Sequence, residues 1–420
     1  MKTLRESAQA IVIGGGPAGS ATAWALASQG LDVVVADKAN FPRDKPCAEY
    51  LSPQASRILS AMGVLDAVER AGAAQLSGMR VRSLDGGIIH GEFAAKHGFI
   101  GFRDRGLALR RRYLDPILLQ AARAAGASVR EGVALDSLIT VGGTVVGVRL
   151  KSEGLVREVR APLVIGADGL RSTVAHRLDL VARSRWPRRV AFVAHFRDVQ
   201  GIGGYGEMHV ERDGYVGLAD VGHGETNVAI VVPKSLARDA SGDTAGFMTR
   251  WLARHPQLAP RFTGATRVSP VRVTGPFASH ARRGYAPGAA LVGDAADFFD
   301  PFTGEGIYAA LRGGEMLGEF ARDAIVSGSA RASLEALIAY DAARISEFRT
   351  KWLVERAIGA AVSSPMLMNH AARVLGARPD LADLLVGVTG DFVPAATVLS
   401  PSFLLHFLDP RRWRASRRAA

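Results

Sequence analysis

A chain of 420 residues, 48% hydrophobic and 22% charged, exceeds what one compact core usually holds and has neither a disordered nor a fibrous bias. The formal net charge is +12, but no zinc-finger spacing or aromatic–basic RNA motif accompanies it, so nucleic acid is set aside as a partner. The single cysteine, Cys47, excludes an intramolecular disulfide and a cysteine-based cluster, and no metal is expected.

In chain order, Met1–Gln9 is polar and lacks a secretory pattern, and no apolar run reaches the roughly 20 residues of a membrane-spanning helix. A cytoplasmic protein is the expectation. Ala10–Ile13 reads as a buried parallel strand. Gly14-Gly15-Gly16-Pro17-Ala18-Gly19 follows, and Ser20–Gln29 reads as an Ala-rich helix stopped by Gly30. Leu31–Ala36 is the second strand, with Asp37 and Lys38 at its end. Gly14, Gly16 and Gly19 satisfy G-x-G-x-x-G in the strand–turn–helix setting that the dinucleotide fingerprint needs. Gly14 permits the tight turn, Gly16 lets backbone approach a pyrophosphate, and Gly19 lets helix and strand pack closely. Pro17 and Ala18 of the turn are cofactor-binding candidates, the helix start offers free N–H groups that suit phosphates, and Asp37 stands where an acid would meet ribose hydroxyls. FAD and NAD are equally served by this segment.

Further on, Leu109–Asp115 contains three successive arginines, Arg110, Arg111 and Arg112, before a helix predicted over Pro116–Ala125. Ala127–Glu131 reads as a strand leading to Val133. Leu163–Gly169 is a strand ending in Gly166-Ala167-Asp168-Gly169. Arg189–Pro276 differs in texture, with strands at Val190–Phe196, Tyr205–Val210, Tyr215–Asp220 and Thr226–Val232 at hairpin spacing. His195, Glu207, His209 and Tyr215 could line a pocket there, although alternation turns about half of such residues away. Ala289–Ala296 repeats the strand–Gly–Asp theme with Gly293 and Asp294. It leads through Pro301, Gly304, Glu305, Gly306 and Ile307 into a helix over Tyr308–Arg322. Helices follow at Ala332–Ile358, Pro365–Leu375 and around Asp380–Val386. Val393–Leu408 is apolar but broken by Pro394 and Pro401, and Asp409–Arg418 is arginine-rich.

Together these segments, from about Ala10 to Arg322, resemble the glutathione-reductase-type FAD fold. The branch is that of p-hydroxybenzoate-hydroxylase-like monooxygenases, flavin halogenases and geranylgeranyl reductases. The resemblance implies an α/β fold in three parts. A Rossmann-type three-layer FAD-binding domain would span 1–75, 105–185 and 277–330. An antiparallel β-sheet substrate domain would span 76–104 and 186–276, and a helical C-terminal region with a basic tail 331–420. It implies non-covalent FAD, with Asp168 and Gly169 near the pyrophosphate, Gly293 and Asp294 on the ribityl chain, and Pro301–Ile307 beside the pyrimidine edge of the ring. Arg111, with Arg110 and Arg112 as competing choices, would face the FAD, and Val133 would lie near the adenine. NAD(P)H is the electron donor expected.

Phe41–Pro53, containing Cys47-Ala48-Glu49, looks like the Cys-Gly/Ala-Glu stretch of geranylgeranyl reductases, which makes that branch the nearest. Cys47 and Glu49 would then lie close to the flavin. Cys47, Glu49, Pro301 and Glu305 are the catalytic candidates, none with an assigned role. Gly214–Ala219 departs from the pattern, because reductases carry Tyr-x-Trp-x-Phe-Pro there and halogenases Trp-x-Trp-x-Ile-Pro. The expected activity is reduction of a double bond in a lipophilic small molecule. Hydroxylation with NAD(P)H and oxygen is the alternative; halogenation and non-catalytic flavin binding stand behind both. The apolar stretch beside the arginine-rich tail suggests peripheral contact with an anionic membrane.

Overall fold

A computed structural model of the chain describes residues 6–94, 97–183 and 188–408. Its centre is a six-stranded sheet in the order Tyr285–Ala286, Ala289–Leu291, Leu163–Gly166, Ala10–Ile13, Val33–Asp37, Ser128–Glu131. All neighbours are parallel except the first pair. Alternation along these apolar strands sends one set of side chains to each face. Val12, Val33, Val35, Leu163 and Ile165 pack on helices Pro17–Ala27, Arg111–Ala124 and Gly306–Val326. Ile11, Ile13, Val34 and Val164 pack on a three-stranded antiparallel sheet, Ala134–Val141, Thr144–Ser152 and Leu155–Arg160. The result is three layers.

Helices Pro17–Ala27 and Gly306–Val326 approach closely because their contact is made of small residues. A Cβ on Gly314 would sit 2.7 Å from Thr22 N, and one on Gly318 2.7 Å from Ala25 Cβ. From the Ala10 strand the chain pairs first on one side and later on the other. The sheet's topological switch point therefore lies at Gly14, where a crevice opens beyond the strand ends.

The second large sheet joins Gly78–Arg82 and Ile88–Glu92 to the strands Arg189–Arg197, Tyr205–Glu211, Gly214–Asp220 and Thr226–Pro233. Both of its faces are covered. Phe192, Val216, Val228 and Ile230 meet Phe247, Met248 and Trp251 of helix Thr244–Arg254. Val193, Met208, Tyr215 and Val231 belong to a core shared with the C-terminal helices through Met368, Leu375, Leu381 and Val388.

Those helices are Ala330–Val362, Pro365–Gly376 and Pro379–Thr389. The apolar stretch after them breaks into the short turns Ala395–Leu399, Pro401–Leu405 and His406–Leu408. Val393, Val398 and Phe403 are buried in the shared core, whereas Leu404, Leu405 and Leu408 are exposed. No helix among the described residues is long and apolar enough to cross a membrane. The arginine-rich tail lies outside the described residues.

One helix begins earlier than its sequence indicates: Arg111, not Pro116, opens it, and Pro116 lies inside. The cause is remote, because Glu49 Oε1 accepts the Arg111 N–H at 2.9 Å and so takes over the work of a cap.

Candidate active site

A cavity of about 570 Å³ starts at Gly16, Pro17 and Ala18, passes Gly293, Asp294 and Pro301–Ile307, and ends against the second sheet. Two helix N-termini open onto it. Neither Pro17–Ala27 nor Gly306–Val326 has a side-chain cap or an acidic residue in its first turn, so two positive dipole ends and their free N–H groups face the same space.

The glycines divide as their jobs require. A Cβ on Gly14, at φ +106°, would lie 2.5 Å from Ala167 O, and one on Gly19 only 1.7 Å from Gly14 O. A Cβ on Gly16 would meet nothing closer than Arg111 Nη2 at 3.5 Å. Gly14 and Gly19 are thus held by the fold, whereas Gly16 is held open toward the cavity. A dinucleotide would fit this cradle, with its pyrophosphate at the Gly16 turn and the negatively polarised pyrimidine edge of a flavin at Gly306 and Ile307.

Of the three arginines, Arg111 reaches the cavity. Its guanidinium is fixed by Asp115, with Nε–Oδ1 at 2.6 Å and Nη2–Oδ2 at 3.0 Å. Arg110 is tied to Glu225 and Asp44, and Arg112 is exposed. Lys45, for which the sequence suggested no role, lines the same wall. Burial and the nearby Arg111 charge lower the Lys45 pKa, while burial raises that of Asp294 and Lys45 and Arg111 oppose the rise. Lys45 and Asp294 therefore offer an amine and a carboxyl to a polar ligand chain.

Several predicted carboxylates are occupied by the chain itself. Asp37 accepts the Gly15 N–H at 2.7 Å and the Ala39 N–H at 2.8 Å, pinning the glycine turn. Asp168 accepts from Ser172 Oγ and Thr173 N, both at 2.6 Å, at the start of the short helix Thr173–Arg177. Ala167, Gly169 and Leu170 form the cavity wall beside it. Glu49 is fully buried at φ 61°. Besides Arg111 N, it accepts from His195 Nε2 at 2.7 Å and Asn227 Nδ2 at 2.9 Å. It acts as a knot between the 41–53 segment, a helix and two strands of the second sheet. Val133 is buried, its N–H bonded to Asp37 O, and Lys38 is exposed.

Cys47 lines the cavity, and its Sγ accepts the Glu49 N–H at 3.4 Å. Burial raises the thiol pKa against the pull of Arg111, so the sulfur stays protonated near neutral pH. Of the residues suspected on the second sheet, Tyr215 faces the cavity, with Ala191, Val193, Met208, Gly217, Ala229 and Val231 around it. His195 belongs to the Glu49 knot, and Glu207 and His209 pair with each other and with Arg261. Lys351 and Glu355 reach the cavity from the long helix, where an i,i+4 Lys–Glu pair looks like any solvated face.

A family described as FAD binding domain matches residues 7–344. Digeranylgeranylglycerophospholipid reductase 2 of Methanopyrus kandleri is 29% identical over 91% of this chain and 93% of its own length. A flavin-dependent brominase structure aligns with a TM-score of 0.80 at 20% identity, covering 95% of this chain and 99% of its own. A geranylgeranyl bacteriochlorophyll reductase-like protein from Thermoplasma acidophilum aligns at 0.72 and 22% identity, covering 99% and 100%. The two solved structures share the fold.

Proposed function

The chain belongs to the family of FAD-binding-domain enzymes and is an FAD-dependent oxidoreductase, and from that premise we propose that it saturates carbon–carbon double bonds of a lipophilic, isoprenoid-type molecule. One observation carries this reading. The cavity runs without interruption from the dinucleotide cradle to a wall of Ala191, Val193, Met208, Ala229 and Val231, with Phe277, Phe348 and Trp352 around it. Such a wall favours a long apolar chain, while Arg344, Lys351, Glu355 and Arg356 place charge elsewhere on the lining.

The bound flavin supplies the two-electron chemistry. The chain's residues do the rest. Gly14–Gly19, Arg111, Lys45, Asp294 and Pro301–Ile307 would hold the cofactor, the Gly306 helix end would favour negative charge on the ring, and the apolar wall would keep out water. NAD(P)H is proposed as donor. Contact of the exposed Leu404, Leu405 and Leu408 with an anionic lipid surface belongs to the same proposal.

The test is anaerobic incubation of FAD-loaded protein with NADPH or NADH and a prenyl lipid, followed by mass spectrometry. Addition of hydrogen across the double bonds is expected. A product formed only with oxygen, and containing it, would replace this reading with hydroxylation.

A further inference from the structure

Three carboxyl groups and one ammonium meet where the Gly306–Val326 helix begins. Lys351 Nζ lies 3.4 Å from Glu305 Oε2 and also pairs with Asp391. Glu355 stands with Glu305 on the cavity wall, and each carboxyl acts on the other's titration. The Asp391 side chain is 1% exposed and that of Glu305 6%. Glu305, Lys351 and Glu355 line the cavity. The other groups facing them are Tyr50, Tyr308, whose ring lies 5.0 Å from Lys351 Nζ, and Asp300.

Charge argues for a proton on this cluster, since one lysine compensates one carboxylate and three are present. Burial pushes Glu305 up to about 8, and Glu355 and Asp391 up to about 7 each, with the Lys351 charge opposing it in each case.

Saturating a double bond consumes a hydride and a proton. The hydride's electrons come with the cofactor, and the proton must come from an acid on the cavity wall. Glu49 is committed as an acceptor, whereas Glu305 has the ammonium of Lys351 3.4 Å away to meet the charge that its proton leaves behind. We propose that Glu305 is the acid that protonates the substrate carbon, with Glu355 returning a proton to it and Lys351 and Asp391 as positioning residues. This rests on the reductase reading above. The Glu305 O–H bond breaks as a C–H bond forms, and its electron pair stays on the carboxylate. The adjoining carbon is reduced by the two electrons the cofactor brings. The new charge arises beside Lys351, which disfavours its return to the substrate. Glu355, half-buried at the cavity wall, can exchange protons with water.

The experiment uses FAD-loaded wild type, Glu305→Gln, Glu305→Asp and Glu355→Gln, with far-UV circular dichroism as the check on folding. Infrared spectra in H2O and D2O, without substrate, should show a protonated carboxyl in wild type that is lost in Glu305→Gln. Single-turnover saturation of a prenyl chain by pre-reduced enzyme should slow as pH rises through about 8 in wild type. In Glu305→Gln it should fall roughly 100-fold or more and lose that pH dependence, with partial recovery in Glu305→Asp. Turnover of Glu305→Gln within about threefold of wild type, or a carboxyl band unchanged in both glutamine variants, overturns the proposal. If wild type shows the band but saturates no prenyl chain, the reductase reading fails and the acid role with it, while the protonated carboxyl stands.

Discussion

The Tyr215 hydroxyl donates a 2.6 Å hydrogen bond to Oδ1 of Asp300 and so fastens the second sheet to the turn that precedes the Gly306–Val326 helix. The other oxygen, Oδ2, receives Arg189 Nη1 at 2.8 Å, and Phe302 N donates to Oδ1 at 3.1 Å. Arg189 is 7% exposed and Asp300 8%, so this is a buried ion pair with a phenol attached. Replacing Tyr215 with Phe removes one neutral donor and should cost about 1 kcal/mol in urea unfolding. Asp300→Ala strands the Arg189 charge and should cost about 3–5 kcal/mol. Equal losses in the two variants would show that the ion pair is not what holds this corner.

The two glycines of the phosphate turn should fail in different ways. Gly16→Val places its side chain in the cavity, where the nearest chain atom to its Cβ is 3.5 Å away, so the protein should fold normally and purify colourless. Gly19→Ala forces a Cβ to within 1.7 Å of a backbone oxygen, so the helix must shift, at a cost of about 1–3 kcal/mol whether or not FAD is present. Flavin absorbance and urea unfolding read the two effects separately. A yellow Gly16→Val protein would mean that the cradle is elsewhere.

The glycine turn was legible in the sequence because everything that defines it is local: a strand, three glycines at fixed offsets and a helix. Four strands of the second sheet, between Arg189 and Pro233, were legible by their hairpin spacing, whereas Gly78–Arg82 and Ile88–Glu92 were not. Arg111 could be named but not separated from Arg110 and Arg112, since the choice depends on Asp115, Glu225 and Asp44 standing where the fold puts them. The early start of the Arg111 helix was hidden, because its cap is Glu49, 62 residues away in sequence. The Lys351 cluster was hidden for the same reason. Glu305 is recognisable in the turn before its helix, but its partners come from a long helix and from a turn near residue 391, and none carries a local signal. For Asp168 the plain reading, an aspartate bonded to a helix start, describes what its carboxylate does.

The same cluster predicts an unusual pH dependence of stability. Glu305, Glu355 and Asp391 have folded pKa values of about 8, 7 and 7, above those of exposed carboxyls. The folded state therefore binds more protons than the unfolded state through this interval, and stability falls as pH rises from the ordinary carboxylate range through about 8. Ion-paired carboxylates such as Glu69 and Glu207, whose pKa values are lowered, act oppositely, and their contribution is lost only in acid. Melting temperatures between pH 6 and 8.5 should thus decline in wild type and decline less steeply in Glu305→Gln, where Glu355 and Asp391 still titrate near 7. A decline of equal slope in the variant would place the titrating groups elsewhere.

Gly217 stands two residues after Tyr215, where the reductase pattern has tryptophan, and strand alternation puts both on the cavity side. A Cβ there would meet Met208 Sδ at 3.2 Å, so the space an indole would fill is shared between the methionine and the cavity. If the apolar wall receives a long prenyl chain, Gly217→Trp should shorten the chain that fits. FAD binding should be unchanged, because Gly217 lies on the second sheet and not in the dinucleotide cradle. The ratio kcat/KM for a long prenyl substrate should fall roughly tenfold or more, a loss of about 1.4 kcal/mol, while a shorter substrate is affected less. Comparison of two chain lengths under anaerobic conditions measures this directly. An equal fall for both would indicate a distorted sheet, and no fall for the long chain would show that the substrate does not pass this wall.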